Sequence, residues 1–126
     1  MIETFEQVTE DLTDREMEYL PEVKEALKLA LDGGFLPRKQ AELTLLINNY
    51  LIQKHGMFCA LNLNGVRLRK YINYIRSNSI MPIIATSQGY SLTVKKDIIE
   101  SQIRSLEQRA RSISKAAEGL RKFLII

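Results

Sequence analysis

The sequence predicts a mainly helical fold with one small β-hairpin. Apolar residues recur at three- and four-residue spacing in three successive segments before residue 78. Two short aliphatic and aromatic runs then flank the tripeptide Ser-Gln-Gly, which is typical of a hairpin. The C-terminal segment repeats its apolar residues with a heptad period. Helix, helix, helix and hairpin is the order of a winged helix-turn-helix, so we expect that fold, followed by a long C-terminal coiled-coil helix.

A chain of 126 residues has room for one domain with an appendage. We expect an N-terminal arm over 1–11, the winged helix-turn-helix domain over 12–93, and a dimerisation helix over 94–126. The chain has one cysteine, Cys59, and no apolar run long enough to span a bilayer. Its acidic beginning does not resemble a signal peptide. We therefore expect a cytoplasmic protein with no membrane partner.

The first predicted helix begins at Thr13, because Thr13 and Glu16 have the spacing of a capping box. Pro21 either kinks this helix or restarts it. Its acidic residues are expected to form a solvated face: Glu16, Glu18, Glu22 and Glu25. The second helix is expected to carry Pro37 in its first turn and to end at His55-Gly56, where the glycine is a left-handed cap.

The third predicted helix, over 64–78, is the expected recognition helix. Asn64 is a preferred N-cap residue. At about 100° per residue, four residues gather on the core side: Leu68, Tyr71, Ile72 and Ile75. The outer side collects Val66, Arg69, Lys70, Asn73, Arg76 and Ser77, with Arg67 and Tyr74 flanking them.

A hairpin over 81–93 is the expected wing. Ile83, Ile84 and Thr86 precede the turn, while Tyr90 and Leu92 follow it, and Gly89 supplies a positive φ angle. The last helix is predicted to start at Thr93. Its apolar residues alternate at spacings of four and three: Ile99, Ile103, Leu106, Ala110, Ile113, Ala117, Leu120 and Leu124. This seam predicts a homodimer, with parallel and antiparallel pairing both open.

Charge is distributed unevenly along the chain. Residues 1–32 hold ten acidic residues against three basic ones, whereas residues 33–126 hold five acidic residues against fifteen basic ones. No acidic residue lies between Glu42 and Asp97. A positive block of this kind favours a polyanionic partner. The alternative is that the acidic N-terminal segment folds over the basic block and neutralises it.

The runs VRLRKYINYIR and IIATSQGY, followed by a long charged helix, resemble the small winged-helix DNA-binding proteins of bacterial prophages and mobile elements. The beginning TFEQVTEDLTDRE is also similar to that group. The resemblance covers most of the chain and is most specific over residues 66–90. It implies double-stranded DNA as a partner, and a role in transcription regulation or DNA replication. Another replication or regulatory protein is an open alternative as a further partner.

Base edges and phosphates are contacted by long donors and by small polar groups. Arg69, Lys70 and Asn73 are the candidates for base contacts. The candidates for phosphate and backbone contacts are Arg67, Tyr74 and Arg76 in the recognition helix, Ser87 and Gln88 in the wing, and Lys95 and Lys96 after it.

Enzyme chemistry is not expected, and neither is a cofactor or a metal. His55 and Cys59 are the only histidine and cysteine, which is too few for a zinc site. Gly33-Gly34 lacks the Lys-Ser/Thr that follows a phosphate-binding loop. The alternative to DNA binding is a protein-interaction adaptor on a winged-helix scaffold. Its working surface would be the acidic N-terminal helix or the coiled coil.

Overall fold

The computed structural model describes residues 10–32, 37–57 and 61–125. It is mainly helical, with a two-stranded antiparallel sheet and a long C-terminal helix. The chain divides into two compact units, one over Thr9–Val94 and a second that contains Lys95–Ile126. Most of the predicted arm, residues 1–9, lies outside the described residues.

Two helices take the place of the first predicted one. Helix α1 spans Asp14–Glu18, and its capping box between Thr13 and Glu16 is formed in both directions, as predicted. Helix α2 spans Leu20–Leu31 and carries Pro21 in its first turn. Pro21 therefore restarts the helix, because a proline needs no amide partner in a first turn.

Helix α3 spans Gln40–His55 and buries Leu43, Ile47 and Leu51. The prediction that Pro37 lies in its first turn is wrong, since Lys39 is the N-cap and Pro37 precedes it. Gly56 is the C-cap and has a positive φ, as predicted, but its φ of 87° and ψ of 174° lie outside the left-handed helical region. Its amide donates to the Ile52 carbonyl.

Helix α4 spans Gly65–Ser77, and the Asn64 side chain accepts a hydrogen bond from the Arg67 amide, as predicted for an N-cap. Asn48 of α3 holds the segment before it. The Asn48 side chain donates to the Leu63 carbonyl at 3.0 Å and accepts from the Leu63 amide at 2.8 Å. These two bonds satisfy a buried backbone position and fix where α4 begins.

The sheet consists of β1, Ile83–Thr86, and β2, Gly89–Leu92, in the register Ile83↔Leu92 through Thr86↔Gly89. Arg38, just before α3, forms an antiparallel bridge with Tyr90, with both N–H···O distances at 2.8 Å. The bridge attaches the hairpin to the start of α3. The predicted positive φ at Gly89 is confirmed, at 127°.

One hydrophobic core joins α2, α3, α4 and the start of β1. Its fully buried members are Val23, Leu27, Leu43, Ile47, Leu51, Leu68, Tyr71, Ile75 and Ile83. The side of α4 that was predicted to face the core is buried throughout.

Helix α5 spans Lys96–Arg121 and continues as a 3₁₀ turn over Lys122–Ile125. It begins three residues after the predicted start at Thr93, and at 1.5 Å per residue it is about 39 Å long. None of its described residues is buried. Within the described ranges, no helix is both long and apolar enough to cross a membrane.

The contact between the hairpin and α3 leads to a prediction. A Cβ at Gly89 would lie 2.3 Å from the Arg38 carbonyl oxygen, whereas a Cβ at Gly56, which also has a positive φ, meets nothing within 4 Å. We expect Gly89→Ala to lower the free energy of unfolding by about 3 kcal/mol, against about 1 kcal/mol for Gly56→Ala. Urea denaturation of both variants measures the difference. Equal losses would show that close packing against Arg38 does not matter.

Candidate nucleic-acid interface

The outer side of α4 presents polar side chains at helical spacing. Val66, Asn73 and Ser77 are exposed, and Arg69 is partly exposed between them. Among the residues that the structure describes, no acid pairs with Arg69. Arg69 and Asn73 lie four residues apart, so they occupy neighbouring turns on one side of the helix.

Lys70 does not belong to this surface, and its predicted place on the outer side is wrong. The residue is only 9% exposed, and its Nζ lies 2.5 Å from Oε1 of Glu16. Helix α1 covers the part of α4 to which the helical wheel assigned Lys70. The helical-wheel prediction for Lys70 was wrong because a helical wheel describes one helix in isolation, whereas α1 packs against the side of α4 that carries Lys70.

Arg67 contacts the same carboxylate. Its Nε lies 3.2 Å from Oε2 of Glu16, and its guanidinium also donates to the Asn62 carbonyl at 2.9 Å. The Arg67 side chain nevertheless remains 37% exposed. Two cations therefore share one carboxylate, so the cluster keeps a net positive charge, and Arg67 is held in one orientation at the edge of α4.

Glu16 is the residue that sequence reasoning missed, since it was expected on a solvated face and is instead 2% exposed. Oε1 accepts from the Thr13 amide as well as from Lys70. The Glu16 carbonyl accepts a hydrogen bond from the Tyr71 hydroxyl at 2.6 Å. The capping box and the acid-free basic block were both visible in the sequence, but nothing there joined Glu16 to Lys70.

The pKa of Glu16 reflects two opposing effects. Burial raises the pKa of the carboxyl group, but the hydrogen bonds from Lys70 and Thr13 outweigh it, so that the pKa is lowered from its ordinary value. Glu16 is therefore ionised near neutral pH. For Tyr71, burial raises the pKa of the hydroxyl and the Glu16 charge adds to the effect, so it stays a neutral donor.

The remaining candidates lie at different places. Tyr74 and Arg76 are partly exposed on α4. Ser87 and Gln88 are exposed at the hairpin turn, where the Gln88 amide donates to Oγ1 of Thr86 at 3.2 Å. Lys95 and Lys96 are exposed at the start of α5, in the second unit.

The predicted dimer seam lies along α5. Ile99 is partly exposed, and the other seven residues of the seam are exposed in the single chain: Ile103, Leu106, Ala110, Ile113, Ala117, Leu120 and Leu124.

Among the described residues, His55 does not belong to a group that could hold a metal ion. His55 packs edge-on against the Tyr19 ring, and its Nε2 lies 3.4 Å from Oε1 of Glu22. Cys59 lies outside the described residues. Over 10–32, 37–57 and 61–125, no group of three or more His, Cys, Asp or Glu side chains could hold a metal ion.

Comparison with models of known protein families, with curated proteins and with solved structures gives no match for this chain.

The Glu16 cluster predicts an acid-dependent stability. Replacing Glu16 with glutamine leaves the Lys70 ammonium buried without a counter-charge, so at pH 7 we expect a loss of about 3 kcal/mol in the free energy of unfolding. A carboxyl group whose folded-state pKa is lowered stabilises the protein above its unfolded pKa, about 4.3, and loses that contribution as the pH falls through the folded value. The gap between wild type and Glu16→Gln should therefore shrink below pH 4.

Urea denaturation between pH 7 and pH 3 measures this gap. Glu18→Gln is the matched control, because Glu18 is exposed in the same helix and should change stability by less than about 0.5 kcal/mol. A gap that stays constant as the pH falls would contradict the assignment of Glu16 as an ionised buried partner.

Proposed function

We propose that this protein is a winged helix-turn-helix protein that binds double-stranded DNA. Helix α4 is the recognition helix and lies in the major groove, and the hairpin is the wing and contacts the adjacent DNA backbone. The protein acts in a phage or mobile-element program, as a transcription regulator or as an origin-binding replication accessory. This role rests on the resemblance of the sequence motifs in residues 66–90 to those of winged-helix proteins of prophages.

The order and attachment of the elements support the fold. Four helices precede the hairpin, because α1 and α2 replace the first predicted helix, and the last of the four, α4, carries the basic outer side. The backbone bridge between Arg38 and Tyr90 holds the hairpin against the start of α3. A wing requires such an anchor, because a two-stranded hairpin is marginally stable by itself.

The single observation that carries the proposal is that Arg69, on the outer side of α4, has no acidic partner among the described residues. Asn73 stands exposed one turn later. An arginine can donate two hydrogen bonds to guanine, and an asparagine can pair in the same bidentate way with adenine. Solvated helix faces usually mix both signs of charge, so a side free of acids favours a polyanionic partner.

Contacts to the DNA backbone fall to residues around this stripe. Arg67 is oriented by Glu16 and keeps more than a third of its side chain accessible, which suits a phosphate contact. Tyr74 and Arg76 are further donors on α4, while Ser87 and Gln88 form the tip of the wing. Lys70 does not contact DNA in this proposal, since its ammonium group pairs with Glu16 and attaches α1 to α4.

The protein acts as a homodimer through α5. The exposed apolar seam of α5 has the period of a coiled coil, and a second copy would cover it. Pairing two recognition helices suits a DNA site with two-fold symmetry.

The second candidate function is a protein-interaction adaptor that does not touch DNA. The observation that favours it is the Glu16 cluster, in which an acidic helix covers Lys70 and contacts Arg67. If such neutralisation extended over the whole basic block, the exposed seam of α5 would be the working surface.

Gel-shift titration on random duplex DNA at several salt concentrations separates the two functions. We expect affinity to fall steeply with salt, because bound phosphates release counterions. Arg69→Ala should weaken binding and make the salt dependence shallower by about one charge, and Asn73→Ala should weaken binding to the preferred sequence more than to random duplex.

Lys28→Ala is the matched control for the lost charge, since Lys28 is exposed on α2 and should leave the salt slope near that of wild type. If the protein binds neither random duplex DNA nor the DNA of its own phage or mobile element at low salt, the DNA-binding hypothesis is wrong and the adaptor function is favoured.

Light scattering tests the dimer. We expect the wild-type chain to have about twice the monomer mass, and the double variant Leu106→Glu, Ile113→Glu to have the monomer mass, because charges cannot be buried in the seam. Ser112→Glu is the control on the outer side of α5 and should leave the mass unchanged. A monomeric wild type would exclude the dimer.

A further inference from the structure

We infer that the two α5 helices pair antiparallel, in a register that places Ile103 opposite Leu120 of the second copy and Leu106 opposite its Ala117. The inference rests on the proposed dimer and specifies its geometry. It follows from the sizes of the seam residues, from the charges beside them, and from the exposure of the seam.

The seam is exposed from Ile103 to Leu124, and Ile99 before it is partly exposed. Ile103, Leu106 and Ile113 are 47%, 40% and 45% exposed, and Leu120 is 68% exposed. In heptad terms the residues Ile103, Ala110, Ala117 and Leu124 occupy "a" positions, and Ile99, Leu106, Ile113 and Leu120 occupy "d" positions. A stripe of this length on one helix needs a partner of matching length.

Residue size distinguishes the two orientations. In a parallel pair each layer contains the same residue from both chains. Ala110 would therefore face Ala110 of the second copy, and Ala117 would face Ala117, so that two layers of small side chains would alternate with layers of large ones. In the antiparallel register every alanine faces a large aliphatic residue: Ala110 faces Ile113, and Ala117 faces Leu106. Facing a small residue with a large one keeps each layer filled, as dense packing requires.

Charge favours the same orientation. Lys96 occupies the "a" position before Ile103, and its side chain is 91% exposed. Parallel pairing would bring the two Lys96 ammonium groups together, whereas in the antiparallel register they lie beyond the paired residues.

The antiparallel register also places Glu100 opposite Arg121 of the second copy, and two-fold symmetry repeats that pair of opposite charges. Within one chain Glu100 lies 4.0 Å from Lys96, and Arg121 pairs with Glu118. An antiparallel register one heptad closer to the N-terminus would instead place the Glu107 carboxylates of the two copies opposite each other. Repulsion between these like charges disfavours that register. It would also place Leu120 opposite Lys96 and leave Leu124 uncovered.

Cysteine cross-linking of the full chain tests the orientation, in a background where Cys59 is replaced by serine. Ile103→Cys and Leu120→Cys are made as separate proteins of different tagged mass, then oxidised alone and after mixing and subunit exchange. In the antiparallel register identical positions are about 25 Å apart along the helix, too far for a disulfide, whose Cα atoms lie about 4.4–6.8 Å apart. We expect the mixed disulfide to exceed either self-linked product about tenfold, an excess that proximity of the thiols controls.

For the second pair, Leu106→Cys with Ala117→Cys, we also expect the mixed disulfide to exceed the self-linked products. This pair keeps the test valid if one variant of the first pair folds poorly. Rapid self-linking of each variant would show parallel pairing and overturn the inference while the dimer stands. A dimer that yields neither product would overturn it too. If light scattering shows that the wild-type chain is a monomer, both the proposed dimer and its antiparallel orientation are wrong. DNA binding is tested separately, by gel shift.

Discussion

The buried carboxylate of Glu16 is the interaction on which the arrangement of α1 and α4 depends. One side chain completes the capping box of α1, pairs with Lys70 and contacts Arg67, while its own carbonyl accepts from Tyr71. An ionised carboxylate can be buried only when hydrogen bonds and opposite charges replace its hydration. Here both oxygens have such partners, so burial fixes α1 to one flank of α4.

That attachment decides what α4 presents outward. Without α1, the basic side of the helix would include Lys70 and a mobile Arg67. With α1 in place, Lys70 is no longer accessible, whereas Arg69 and Asn73 are, and Arg67 is held in one orientation at the edge of the helix. The pair itself gains little net free energy, because both ions lose their hydration, but removing either partner would leave the other charge buried and unpaired. Glu16 of the acidic N-terminal segment thus pairs with Lys70 and contacts Arg67, whereas no acid among the described residues pairs with Arg69.

The position of the hairpin depends on a second residue that makes several contacts, Arg38. The Arg38 backbone pairs with Tyr90, and the carbonyl of Arg38 approaches Gly89 too closely for any side chain. The Arg38 side chain also donates from Nε to the Ala30 carbonyl at 2.7 Å near the end of α2. One residue therefore connects α2, the start of α3 and the hairpin. This is how a hairpin with only four residues in each strand gains a fixed place.

Local rules in the sequence determined most of the elements: the capping box at Thr13, the asparagine cap of α4, the glycine turn, the core side of α4 and the period of the α5 seam. These depend on neighbours within one or two turns, which a sequence displays directly. Only the tertiary structure decided that Glu16 is buried and that Lys70 faces it. The two are 54 residues apart, and their contact depends on how α1 packs against α4. Helical periodicity separates polar from apolar positions, but it cannot show which polar position another helix will cover.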